Sequence, residues 1–445
     1  MGWILHAIYL SISMLSSRKE ALILLQKWFY SDAYIDHLLD QVTTSLSAQD
    51  RRFRDALVHL TIQWKRQTDA ILSQFLKSSK KPPKEIYLLL LLGATELLHM
   101  AGTRDYGTVN SLVSLARFHK KFVNAILRNV IRFRDSGAFD QFFTNSAIPL
   151  GVRYSFPDWM VDRWKSQFGH DVERLLQALN QPPLRMIRLI DESKREDVID
   201  ILTSMNIWEG IYPDREDFFC VKSLQPLLNH DIFTSGVVTI QDVSSTLVEY
   251  FFPEGGIHLA CDVCSGPGGK TVSLLKHVVP GGKVYAYDID LLRLNQVRET
   301  LNRLKFSQVE LHQADARSAT YPKADLFLID APCSGFGVIR KRSDLRWRRK
   351  PEDITLLQNL QTEILENVSR SVPPGGSIIY STCTFDKAEN NDMIERFLKN
   401  HPDFHWVEPS GKAPKAWRDA TLPILQTLPQ NHRCEGSFAG RVKRL

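Results

Sequence analysis

Residues 262–271 read DVCSGPGGKT. An apolar run from Ile257 to Val263 leads into Gly266, Gly268 and Gly269, and a helical stretch from Thr271 to His277 comes next. A strand that turns on glycines into a helix admits few folds, because the turn brings main-chain amides up against a ligand. Two ligand classes can be tested by counting. A triphosphate loop needs G-x-x-x-x-G-K-[ST]. Counting back from Gly269-Lys270-Thr271, its first glycine falls on Cys264, so the phosphate cradle is incomplete. A dinucleotide fingerprint needs a third glycine at position 271, which is Thr271.

The residues beyond the loop narrow the ligand further. Strand candidates recur at Val284–Ile289, Val309–His312, Leu326–Ile329 and Ser377–Tyr380, with helical stretches between most of them. Alternation of this kind gives a parallel, doubly wound α/β sheet of the Rossmann-like type. Three of these candidates end near an acid: Asp288 in YAYDID, Asp315 in HQADAR and Asp330 in DAPC. Asp288 lies about 20 residues past the loop, where an acid takes ribose hydroxyls. A ribose and a base without a pyrophosphate, in an acidic crevice that suits a cation, describe S-adenosylmethionine. Cys264, Ser265, Gly266, Pro267, Gly268, Gly269, Lys270, Asp288, Asp315 and Asp330 are its candidate contacts.

Cys333 in DAPCSGFG comes after the fourth strand and Cys383 in YSTCTFD after the fifth. In the usual order these strands are neighbours about 4.8 Å apart. Two thiols would then meet at the methyl donor. C5 of a pyrimidine is a poor nucleophile until a thiolate adds to C6, so the pair suits covalent methylation of cytosine or uracil. The attacking thiol needs a lowered pKa, for which Lys270 is the nearby cation. Asp330 can hold the base. The residues alone leave open which cysteine attacks. Between them lies RKRSDLRWRRK, in which Arg340, Lys341, Arg342, Arg346, Trp347 and Arg348 are candidate RNA contacts on the rim of the site.

The rest of the chain sets the context. Apolar residues make up 43% of the 445, enough for a core, and a net charge of +6 leans towards a polyanionic partner. The six cysteines form no disulfide framework. Cys261 and Cys264 lack a second ligand pair, so no metal is expected. Residues 1–145 read as an all-α domain, 146–235 as a small α/β segment and 236–445 as the doubly wound domain. Lys80-Lys81-Pro82-Pro83 interrupts the helices, and Arg128, Arg132 and Arg134 lie on one of them. Met1 to Ser17 reads either as an added helix or as the product of a start placed upstream of Met14. The order of its charges does not suit a signal peptide. The apolar run Ile86–Leu92 is too short to span a bilayer, which implies a cytoplasmic protein with no membrane partner.

DVCSGPGGKT, YAYDID, ADAR, DAPCSGFGVIRK and YSTCTFD with the later EN together resemble the Nol1/Nop2/Sun family of RNA cytosine-5 methyltransferases. FVNAILRNVIR resembles the NusB helical domain. The resemblance covers nearly the whole chain. It implies an S-adenosylmethionine-dependent domain behind a NusB-like RNA-binding domain, with Cys383 as nucleophile and Cys333 aiding product release. Lys270 and Asp330 would serve the target base. PDWMVDRW and NQPPLRMIRL resemble the family's RNA-facing segment. The implied substrate is a cytosine of 16S ribosomal RNA, unassembled or early in assembly, modified by a monomer. A tRNA or another ribosomal site is the alternative substrate. A non-catalytic RNA-binding factor is the alternative of another class, and it would have lost Cys383 or the glycine loop. A small-molecule methyltransferase would need neither the paired cysteines nor the basic run. Two departures stand out. Ser265-Gly266 replaces the family's Ala-Ala or Ala-Ser, which should loosen the loop. Glu435-Gly436-Ser437-Phe438 replaces Asp-Gly-Phe-Phe, which should alter packing near the end.

Overall fold

Three- and four-residue apolar spacing builds the first part of the chain as helices. The computed structural model describes the backbone of residues 2–76 and 82–445, and the side chains of residues 16–76 and 82–445. The choice of start at Met1 or Met14 and the break at Lys80-Lys81 concern residues outside the side chains described. Helices span Gly2–Phe29, Ala48–Gln63, Lys65–Ser73, Lys84–His99, Asp105–Leu115 and Lys120–Asp135. Lys84–His99 is buried over most of its length, from Ile86 to Leu97, because its neighbours cover it on several faces. Glu96, acidic within that apolar helix, is fully buried and takes the Arg18 guanidinium on both oxygens, with Thr108 donating as well. Arg134 is engaged by Asp105, while Arg128 and Arg132 are not buried.

The chain divides into two compact units, residues 1–180 with 342–349, and 181–341 with 350–445. The first boundary falls at 180 because the short helices Leu150–Arg153, Asp158–Phe168 and Val172–Ala178 go with Lys65–Ser73, to which the first two are bonded. The Arg66 guanidinium grips both Asp158 oxygens, at 2.8 and 2.7 Å, and Gln67 Nε2 donates to the Arg153 carbonyl.

The second unit holds two sheets. The smaller is antiparallel and orders β1 (Met186–Leu189), β2 (Trp208–Tyr212), β3 (Arg215–Val221) and β4 (Val238–Ile240) as β2-β3-β1-β4. Arg188 on β1 is 1% exposed. It donates to Asp217 on β3, to both oxygens of Glu249 and to Ser273 in the helix that leaves the glycine loop.

The larger sheet contains β5 (Ile257–Asp262), β6 (Val278–Asp288), β7 (Val309–Gln313), β8 (Leu326–Asp330) and β9 (Ser377–Thr382). These run parallel in the order β7-β6-β5-β8-β9, so the order reverses at β5. Ligands in such sheets bind at that reversal, and the glycine loop leaves β5 there. The sheet is not parallel throughout. β10 (Phe404–Val407), β11 (Ile424–Thr427) and β12 (Ser437–Arg444) are antiparallel, with β12 placed between β9 and β10. The first two are only four residues long, so they give little alternating pattern to read. No helix among the described residues is long and apolar enough to cross a membrane.

Removing one partner of a buried ion network leaves the other charges uncompensated. Arg188→Ala should therefore cost about 3–5 kcal/mol, read from urea unfolding of the whole chain. A loss below about 1 kcal/mol would show that the network contributes little.

Candidate active site

The glycine loop is a set of short main-chain bonds. Ser265 N–H donates to the Tyr287 carbonyl, Gly268 N–H to the Ser265 carbonyl, and Gly266 N–H to Asp288 Oδ2 at 2.9 Å. Gly268 sits at φ +106°, where other residues are strained. Gly266 does not loosen the loop as expected. A Cβ there would lie 2.5 Å from Arg293 Cβ and 2.8 Å from Asp288 Oδ2, so glycine permits a close packing. Gln241, which the sequence did not single out, donates to the Gly269 carbonyl. A cavity of about 270 Å³ opens beside the loop, lined in part by Gln241, Pro267, Gly269 and Gln296.

The acids are ranged along the same sheet edge. Asp288 is buried and also accepts from Asp290 N–H. Asp315 lies past β7, next to Ala314, whose amide bonds the Asp288 carbonyl. Its carboxylate is held by Arg317 and kept below the usual range by that contact. Asp262, also missed in the sequence, ends β5 with 0% exposure. Thr271 donates to its Oδ2, and its Oδ1 has no hydrogen-bond partner. Burial, with the nearby Asp330 and Asp288 charges, pushes its pKa up to about 7. The buried Ser265 Oγ is likewise without a partner. Orphaned acceptors beside a tight glycine turn and several carboxylates fit a ribose and a cationic sulfur, as S-adenosylmethionine presents. Burial pushes the Cys264 thiol well above its ordinary value, so it serves as a small apolar wall.

Both cysteines lie just beyond neighbouring strands. Asp330 on β8 pairs with Ser381 on β9, and the chain continues to Cys333 and Cys383, whose sulfurs are 3.2 Å apart. Beside them Lys270 Nζ is 2.6 Å from Asp330 Oδ1. Burial is the largest single influence and disfavours the Lys270 ammonium, but the charge and hydrogen bond of Asp330 with the two cysteines together outweigh it, so the net shift is upward. The Cys383 contact, burial and the Glu389 and Asp330 charges push the Cys333 thiol well above its ordinary value. Gly337 N–H bonds the Cys383 carbonyl, and Gly337 packs against Gly436, where an added Cβ would meet the Gly436 carbonyl oxygen. The departure at Glu435-Gly436 thus keeps the glycine this contact needs, and Glu435 pairs with Arg340 at 3.1 Å.

The basic run is not the exposed RNA rim that the sequence suggested. Arg340 is paired with Glu435, and Lys341 with Asp242 at 2.8 Å. Residues 342–349 belong to the helical unit. Arg346 is 0% exposed, donates to the carbonyls of Gln63 and Ser155 and to Asn180 Oδ1, and stacks over Phe156 at 4.1 Å. Trp347 Nε1 donates to the Ile62 carbonyl, and Arg348 to those of Trp28 and Ala33. Carbonyl groups at helix ends carry partial negative charge, so these side chains cap helices instead of facing solvent. Of the six candidates, Lys341 and Arg342 are exposed.

Arg346→Ala should cost about 2–4 kcal/mol, because it strands buried carbonyls and leaves a cavity, whereas Arg342→Ala should stay within about 0.5 kcal/mol. Urea unfolding of both variants checks this. Asp262 gives a pH signature. Its unfolded value is about 3.9 and the folded one is higher, so the fold binds the extra proton between them. Stability from this group is full below pH about 4 and is lost as pH rises through about 7. Asp262→Asn should therefore gain on wild type as pH rises, by on the order of a few kcal/mol, levelling off above neutrality. Thermal melts from about pH 4 to 9 without cofactor would show it, and a constant gap would contradict it.

The chain matches three family descriptions in order: NusB family over residues 15–132, Methyltr_RsmF/B-like ferredoxin-like domain over 156–209, and 16S rRNA methyltransferase RsmB/F over 254–443. The probable ribosomal RNA small subunit methyltransferase B of Bacillus subtilis is 31% identical over 96% of this chain and 97% of that protein. Ribosomal RNA small subunit methyltransferase B of Serratia proteamaculans is 30% identical over 92% and 94%. The crystal structure of PH0851 shares the fold with a TM-score of 0.75, at 21% identity, over 97% of this chain and 98% of that one. With its NusB-like helical domain, ferredoxin-like segment and Rossmann-like methyltransferase domain in this order, the chain belongs to the ribosomal RNA small subunit methyltransferase B family.

Proposed function

We propose that this protein methylates C5 of a cytosine in 16S ribosomal RNA through a covalent bond between Cys383 and C6. The observation that carries this reading is the 3.2 Å approach of the Cys333 and Cys383 sulfurs beside the Lys270–Asp330 ion pair. N- or O-methylation needs no thiol, whereas C5 does. The loop from Cys264 to Lys270, with Asp262, Asp288 and Asp315, would hold S-adenosylmethionine, which would supply an electrophilic methyl group.

Cys383 adds to C6, which makes C5 electron-rich. After C5 is methylated its proton leaves to a base, and the Cys383–C6 bond breaks to return the thiolate. Cys333 serves this breakdown. Asp330 accepts the cytosine amine, and the Lys270 ammonium orients Asp330 and favours a neighbouring thiolate. The cytosine must be splayed from its stack to reach the thiols, which favours unassembled or early ribosomal RNA. The protein acts as a monomer.

Incubation with methyl-labelled S-adenosylmethionine and protein-free 16S ribosomal RNA tests the reading. Wild type should label the RNA. Cys383→Ala should fall below about one thousandth of that rate. Cys333→Ala should leave a protein–RNA adduct that survives a denaturing gel. An active Cys383→Ala with an inert Cys333→Ala would reverse the roles, and no labelling of this RNA by any variant would refute the substrate.

A further inference from the structure

We propose that Glu389 is a positioning residue that holds Cys333 at its working distance from Cys383. The inference rests on the reading of Cys333 as the residue that releases product.

Glu389 is 0% exposed. Its Oε1 accepts from Ser334 N–H at 2.9 Å and from Gln361 Nε2 at 3.0 Å. The same Gln361 nitrogen donates to the Pro332 carbonyl at 2.8 Å. The residues before and after Cys333 are thus both tied to one carboxylate–amide pair. Asn390 holds the other loop: its Oδ1 accepts from Thr382 Oγ1 at 2.6 Å and its Nδ2 donates to the Thr384 carbonyl at 3.0 Å. Ser334 Oγ and Thr384 Oγ1, one residue past each cysteine, are bonded at 2.9 Å. One dipeptide therefore fixes both cysteine loops. It is anchored in turn by the Tyr380 hydroxyl of β9, which donates to the Glu389 carbonyl.

A buried carboxylate is a costly way to hold a loop. Glu389 Oε2 has no hydrogen-bond partner, and the groups that bond Oε1 are an amide N–H and a carboxamide, neither of them a cation. An acceptor at Oε1 is what the geometry uses, and glutamine would supply it. Misplacing a reacting group by about 1 Å costs on the order of a hundredfold in rate. Loss of the acceptor should therefore slow the step that Cys333 serves and leave RNA binding alone.

Glu389→Ala, Glu389→Gln and Cys333→Ala are compared on denaturing gels with 16S ribosomal RNA and S-adenosylmethionine, alongside steady-state rates. Glu389→Ala should accumulate roughly ten-fold more adduct than wild type and lower kcat by a similar factor, with KM for RNA within about two-fold. Glu389→Gln should restore release, which a general loss of packing would not explain. Should Glu389→Ala fail to fold, Gln361→Ala breaks the same bracket and should trap adduct. Adduct from Cys333→Ala but from neither bracket variant overturns this inference alone, as does a Glu389→Gln as defective as Glu389→Ala. Adduct from none of them overturns the role of Cys333 and this inference with it.

Discussion

The parallel pairing of β8 with β9 is the constraint on which the site depends. Asp330 and Ser381 are partners in that ladder, so the segments leaving the two strands begin side by side. Each reaches its cysteine within three residues, and the sulfurs meet at 3.2 Å. Neither loop could bring a thiol there alone. The central position of β8, between β5 and β9, also places Asp330 next to the helix that opens with Gly269 and Lys270. Sheet order thus converts three distant stretches of sequence into one constellation.

That constellation is electrostatically unbalanced. Asp262, Asp288 and Asp330 lie at neighbouring strand ends with Lys270 among them, and their repulsion adds to burial in raising the pKa of Asp262. A cationic ligand relieves such a site, because it supplies the charge that the protein withholds. The Arg188 network steadies the arrangement from below. It links the smaller sheet to Ser273, four residues past Gly269 in the helix that carries Lys270.

Local patterns in the sequence were readable. The glycine loop, the five parallel strands and the two cysteines all announce themselves within a few residues, and the structure brings Lys270, Asp330, Cys333 and Cys383 together. Features that depend on distant partners were not. Arg346, Trp347 and Arg348 read in the sequence as RNA contacts on the rim of the site, yet their partners are carbonyls and an amide more than 160 positions away. A charge run in sequence carries no sign of whether helix ends will surround it. Gln361 is similarly silent, and Glu389, although part of the EN that follows YSTCTFD, shows its role only when Pro332 and Ser334 are folded against this pair. Asp262 was overlooked because it falls inside the run from Ile257 to Val263 and so reads as part of the strand rather than its end.

Attack at C6 followed by methylation at C5 would expel the C5 hydrogen, so that hydrogen reports directly on the proposed route. Ribosomal RNA carrying tritium at C5 of cytosine would be methylated with carbon-labelled S-adenosylmethionine, and tritium released to water would be counted against methyl gained. This route releases one tritium for each methyl transferred by wild type, and neither event should occur with Cys383→Ala. Methyl transfer with the tritium retained would place the modification on nitrogen or ribose, and the paired cysteines would need another explanation.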